Sequence, residues 1–61
     1  MKLTLSQATL LLFLKRNRGW QSFKGPALRS AASLQMLGLI EKSGDQAQIN
    51  WDGIHYAYIN L

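Results

Sequence analysis

Few residues in this 61-residue chain could do chemistry. His55 is the one histidine, with Asp52 and Tyr56 close by in sequence. A general base needs an orienting partner and a pocket. A chain this short seldom builds one, so His55 reads as a surface residue. There is no cysteine, hence no thiolate nucleophile, disulfide or thiolate metal site, and a lone histidine does not make a structural zinc site. Gly19, Gly25, Gly38, Gly44 and Gly53 are scattered, each at an element boundary, and form no phosphate-binding loop. No catalytic residue, cofactor or metal is expected, and the chain does not read as an enzyme. What remains are basic and hydroxyl- or amide-bearing side chains that can hydrogen-bond an anion: Lys24, Arg29 and Ser33 in the middle of the chain and Lys42, Ser43 and Gln46 after it.

The charge distribution favours that chemistry. The net charge is +4, with a pI near 10.0. Lys2, Lys15, Arg16, Arg18, Lys24 and Arg29 all precede residue 40, where no acid occurs, giving +6; Glu41, Asp45 and Asp52 against Lys42 give −2 to the rest. A one-sided basic surface attracts phosphate backbones or anionic lipid, although plain solubility is the bland explanation. The apolar run within Leu3–Leu14 is diluted by Thr4, Ser6, Gln7 and Thr9 and followed by Lys15-Arg16. It is too short to span a bilayer and lacks a signal-peptide ending. The reading is a cytoplasmic protein with no membrane partner. Size and the lack of cysteine fit a bacterial or phage source.

Residues 1–61 make one domain. A domain of this size buries only about 60% of its unfolded surface, and with no covalent staple a homodimer is an open alternative. The first helix spans about Thr4 to Arg18. Thr4 and Gln7 form a capping-box pair, Lys15, Arg16 and Arg18 suit the negative end of the helix dipole, and Gly19 is a stop. Leu10 to Leu14 point all round its axis, which demands a central position or a second subunit. The stretch "GWQSFKGP" suits a short extended segment, possible as one strand of a small sheet, and Pro26 opens a second helix that ends at Gly38. That helix buries Ala27, Ala31 and Leu34, with Ser30 and Leu37 beside them, and turns Arg29, Ser33 and Met36 outward. Such a slim face can enter a major groove about 12 Å wide, but on the projection alone solvated surface is the favoured reading.

"LIEKS" and "AQINW" then flank a Gly44-Asp45 turn as a short hairpin. Its tip carries Lys42, Ser43, Gln46 and Gln48, with Asp45 as a repelling charge. The tail "WDGIHYAYINL" reads two ways. Asp52-Gly53 is a hairpin signal that makes Ile54 to Ile59 a third strand. Ile54, Ala57, Tyr58 and Leu61 fall at helical spacing behind a capping Asn50 or Asp52. Trp20 and Trp51 are expected in the core, and Tyr56 and Tyr58 half-buried.

The element order resembles the winged helix-turn-helix superfamily. Leu34 stands four residues before Gly38-Leu39-Ile40, Ala31 seven before that glycine and Arg29 nine before it. Asn50-Trp51-Asp52-Gly53 with Tyr56 is similar to the polar–x–x–Gly opening of the family's last helix. The resemblance covers nearly the whole chain through short motifs and favours a helical tail. It implies a small α+β, winged-helix-like domain: two main helices, a β-hairpin wing and a short C-terminal helix (or third strand). The chain departs from the pattern between Arg18 and Ala27, where there is too little room for a strand, a helix and a turn. The middle helix is therefore either reduced to a single turn or trimmed away.

The resemblance implies double-stranded DNA binding by a transcriptional regulator or mobile-element accessory protein. Arg29 and Ser33 would face the groove, with Lys24 on phosphate beside the helix N-terminus and Lys42, Ser43 and Gln46 on the wing. The alternative is a protein-interaction module that uses the apolar first helix, since winged-helix folds also serve as docking surfaces.

Overall fold

A computed structural model of the chain describes residues 2–61. Three helices and a three-stranded antiparallel sheet follow one another as α1 (Leu5–Arg16), β1 (Gln21–Ser22), α2 (Pro26–Met36), β2 (Ile40–Ser43), β3 (Gln46–Ile49) and α3 (Trp51–Asn60). The sheet order is β1-β3-β2. The architecture is small α+β.

α1 starts as its sequence predicts. The Gln7 amide donates to Thr4 Oγ1 (3.2 Å) and the Thr4 amide to Gln7 Oε1 (2.9 Å), which completes the capping box. It ends at Arg16, two residues earlier than expected. The Asn17 amide and its Nδ2 both donate to the Phe13 carbonyl, each at 2.9 Å, and Arg18 Nε donates to the Lys15 carbonyl at 3.2 Å. These bonds occupy carbonyls that a helix end leaves unpaired. α1 touches α2, β3 and α3 and buries Leu10, Leu11 and Leu14. It is thus the central element, yet Leu5, Leu12 and Phe13 stay exposed.

"GWQSFKGP" supplies β1, which pairs with β3 through Gln21–Ala47 and Ser22–Gln46. The Phe23 amide extends the pairing to the Asp45 carbonyl at 2.8 Å. The chain then passes directly into α2, with Gly25 at φ +61° and Pro26 at the first helical position. No helix intervenes between β1 and α2, so the middle helix is absent, not shortened to a turn.

α2 closes in a Schellman turn. Gly38 (φ +80°) donates to the Gln35 carbonyl at 2.9 Å and Leu39 to the Leu34 carbonyl at 3.1 Å, with Leu34 and Leu39 both buried. The turn delivers the chain at once into β2. The hairpin register pairs Ile40 with Ile49 and Ser43 with Gln46. Gly44 has φ +60° and Asp45 does not have positive φ, as a two-residue type II′ turn requires.

The tail is a helix; the third strand of the sheet is β1. Asp52-Gly53 makes no turn because Gly53 has a different task. A Cβ built there would overlap the Leu39 carbonyl oxygen and lie 2.7 Å from Ile49 Cγ1, so its bare backbone is what lets α3 close on the sheet. Asn50 holds the junction. Its Oδ1 accepts from the Gly53 amide (2.8 Å), its Nδ2 donates to the Gly38 carbonyl (2.9 Å) and its amide donates to the Leu39 carbonyl (3.3 Å). Asn50→Ala loses the cap and strips the Gly38 carbonyl of that donor. A loss of about 1–2 kcal/mol is expected in urea unfolding, with Asn50→Asp recovering only the cap.

The core is aliphatic: Leu10, Leu11, Leu14, Ala31, Leu34, Leu39, Ile40, Ala47, Ile49 and Ala57. The expectation that the tryptophans fill it is overturned. Trp51 is 82% exposed and Trp20 46%. α3 presents Gly53 and Ala57 inward, and that close approach leaves no depth for an indole. Trp20 lies in the loop just before β1. Tyr56 is half-buried as expected, while Tyr58 is exposed.

Candidate nucleic-acid interface

The helical projection of α2 holds at its centre and fails at its end: Ala27 and Ser30 are half-buried, and Leu37, expected inside, is exposed where the helix turns at Gly38. Ala31 and Leu34 are fully buried, while Arg29 is exposed and Met36 is 88% exposed. Ser33 is half-buried on the same outward stripe, and its Oγ donates to the Arg29 carbonyl one turn back at 3.2 Å. Its donor is thereby engaged with its own helix, leaving mainly acceptor capacity. The side chains of Arg29 and Lys24 are exposed and bond to no described residue. Lys24 precedes the α2 N-terminus, where Gly25 provides no side-chain cap and the first turn has no acid. The N–H groups of that turn and the Lys24 ammonium suit an anion at the same end.

The hairpin residues divide. Side chains alternate along a strand. Lys42 therefore shares a face with buried Ile40 and with its cross-strand partner Ala47, on the side that packs on the helices. Ser43 and Gln46 project from the opposite face, together with Glu41 and Gln48. Gln48 Nε2 donates to Glu41 Oε1 at 2.6 Å, and Gln46 Nε2 makes a long contact of 3.5 Å with Ser22 Oγ. All three stand at the turn end of the hairpin but on two faces: Lys42 on the helix side, Ser43 and Gln46 on the face that also carries Glu41. Lys42 Nζ donates to the Gly44 carbonyl at 2.8 Å, which directs its charge toward the turn. If the hairpin meets duplex DNA, Lys42→Ala is expected to weaken that binding several-fold, with Ser43→Ala and Gln46→Ala each changing it by less than about twofold. A fluorescence anisotropy titration of the three variants checks this.

Two of the three cations that close α1, Lys15 and Arg18, are occupied locally, while Arg16 is exposed. Lys15 Nζ lies 5.3 Å from the Tyr58 ring centroid, within cation–π range, and Arg18 bonds the Lys15 carbonyl. Their positions were open to a structural explanation in the sequence, and these contacts supply it. His55 is exposed on α3. Among the described residues no cluster of three or more His, Asp or Glu could hold a metal, and no helix is long and apolar enough to cross a membrane.

A second surface feature was not foreseen. A shallow groove of about 460 Å³ runs between α1 and the start of α2, lined by Leu5, Leu10, Phe13, Phe23, Pro26 and Ala27 among others. Phe13 and Phe23 meet edge to face, with centroids 5.9 Å apart. Leu5 is 84% exposed at its rim. The consecutive leucines signalled surplus apolar surface, but only the fold decides which of them it leaves outside.

Comparison with known proteins finds no matching family model, curated protein or solved structure.

Proposed function

We propose that the chain is a small cytoplasmic double-stranded-DNA-binding protein of winged-helix type, acting as a transcriptional regulator or mobile-element accessory protein. α2 enters the major groove and the β2–β3 hairpin serves as wing. The observation that carries the reading is the outward face of α2. It is acid-free and slim, bears the unpartnered guanidinium of Arg29, and leads through a Schellman turn directly into the hairpin. The helix–strand–helix–hairpin–helix order, with β1 on β3, supports the same reading. It assigns no catalytic role to any residue.

The missing middle helix alters the expected energetics. In helix-turn-helix proteins the helix before the recognition helix crosses the DNA backbone. Without it, phosphate anchoring falls to Lys24, Arg29 and Lys42 and to the α2 N-terminus. With about three cations engaged, log K should fall against log salt with a slope near −3. Arg29→Ala is expected to cost about 1–3 kcal/mol of binding if the guanidinium reads a guanine edge, and to flatten the salt slope by about one if it meets phosphate. Its thermal unfolding should match the parent, because Arg29 contributes nothing to the core. Titration of labelled duplex at two salt concentrations is the test. Absence of low-salt binding, or an Arg29→Ala variant that binds like the parent, removes the major-groove reading.

The groove beside α1 favours a second reading, a protein-docking module, in which exposed Leu5, Leu12 and Phe13 receive an apolar segment of another protein. The same titration separates the two, since docking through that groove predicts no DNA affinity.

A further inference from the structure

α3 is apolar on both sides. Its inner side, Gly53 and Ala57, is buried. Its outer side carries Trp51, His55, Tyr58 and Ile59 at i, i+4, i+7 and i+8, which is one helical stripe. Trp51 is 82% exposed, Tyr58 79% and Ile59 66%, with Leu61 at 48% beside them. This outer side faces solvent; among the described residues Lys15 reaches it, with Nζ 5.3 Å from the Tyr58 ring centroid, while Trp51 and Ile59 stay largely exposed.

We infer that this stripe is the contact between two copies of the chain, joined α3 to α3 about a two-fold axis. Size is the first argument. The two aromatics leave on the order of 350 Å² outside, and Ile59 with Leu61 bring the stripe to about 500 Å². A standard interface takes about 800 Å² from each partner, somewhat more than half of it apolar. The stripe therefore meets the apolar share of a stable dimer, and it lies toward the upper end of the largest patch a monomer exposes, a size that is often functional.

Charge is the second argument. The chain carries +4, so copies repel one another over most of their surface. The residues of the exposed stripe carry no formal charge of their own; Lys15, over the Tyr58 ring, and Asp52, beside Trp51, are the charges next to it and are of opposite sign. This is where two basic chains can meet, and it is an unfavourable place for a nucleic acid. An amphipathic helix that lies on a membrane needs a cationic polar face; α3 contains no lysine or arginine.

The order of residues selects an antiparallel pairing. Trp51 opens the helix and Ile59 nearly ends it, with His55 midway. A two-fold axis at His55 sets the indole of each copy against the aliphatic end of the other. A parallel arrangement would stack like on like and is not two-fold about that axis. The pairing is isologous and so closes at two copies. It uses none of Lys24, Arg29 or Lys42, and it stands or falls separately from the DNA reading.

The test is the mass of the full chain in solution without DNA, by sedimentation over a range of concentrations. A dimer is expected, with Trp51→Ser and Tyr58→Asp each raising its dissociation constant at least about tenfold. Both positions are exposed, so the helical circular dichroism of the monomeric variants should be retained. Met36→Ser, equally exposed but on α2, should leave the mass unchanged. In a mixed labelled and unlabelled sample, intermolecular NOEs should join the Trp51 indole to Ile59 and Leu61 methyls. A parent chain that remains monomeric at roughly 1 mM overturns the inference. So does a dimer untouched by both α3 variants, or one whose intermolecular NOEs lie on α1. DNA titration of the monomeric variants reads the other proposal separately.

Discussion

Gly53→Ala is expected to cost the chain a large part of its folding stability, about 2–4 kcal/mol. The added methyl would occupy the place of the Leu39 carbonyl oxygen and stand 2.7 Å from Ile49 Cγ1. Neither obstacle is the free end of a flexible side chain. The first is backbone held in place, since the Leu39 carbonyl accepts from the Asn50 amide at 3.3 Å and the preceding Gly38 carbonyl accepts from Asn50 Nδ2 at 2.9 Å. Relief requires α3 to back away, which breaks the Asn50 cap and uncovers Ala57. Overpacking alone costs about 1–3 kcal/mol, and the lost cap adds about 1. A 61-residue domain has about 3–9 kcal/mol to lose. Urea unfolding followed by circular dichroism should show the midpoint displaced toward zero denaturant. His55→Ala, on the exposed side of the same helix, should move it by no more than about 0.5 kcal/mol. If Gly53→Ala unfolds like the parent, α3 does not approach the sheet as closely as described.

The same glycine marks the boundary between what the sequence discloses and what it conceals. The features decided within a few residues are legible: the Thr4–Gln7 box, Pro26 at the start of α2, Gly38 at its end, and the Gly44-Asp45 turn. Each depends on local dihedrals and hydrogen bonds. The tail was ambiguous because local chemistry favoured a turn at Asp52-Gly53, whereas its actual state is set by a distant contact with Leu39. The tryptophans misled for a related reason. Small residues on the inner side of α3 shut out large ones, and a general preference for buried indoles cannot register that. Of the candidate interface, the Arg29 stripe follows from helical periodicity. The division between Lys42 and Ser43 was also within reach, because strand alternation puts adjacent residues on opposite faces. Only the buried partner, Ala47, tells which face is inward.

Leu34→Ala has an expected effect of similar size, and it tests the link between stability and the proposed interface. Leu34 is fully buried, and its carbonyl accepts the Leu39 amide at 3.1 Å in the turn that joins α2 to the hairpin. Truncation removes three carbons from a core with few large side chains; Leu11 and Leu14 are its only fully buried equals in size. Losses for buried leucine run from about 2 to 5 kcal/mol, and alanine's better helix propensity returns only about 0.2. With about 3–9 kcal/mol available, the variant should be partly unfolded at 37 °C and mostly folded when cooled to about 15 °C, near the usual maximum of stability. DNA affinity should follow the folded fraction. It should be weak when warm and recover toward the parent value on cooling, because Leu34 touches no DNA in the proposed docking. Arg29→Ala should behave in the opposite way, folding normally and binding poorly at every temperature. Paired melting and binding curves for the two variants therefore separate a residue that holds the reading helix from one that reads. If Leu34→Ala, once refolded, still bound as poorly as Arg29→Ala, the buried side of α2 would be shaping the contact and not merely supporting it.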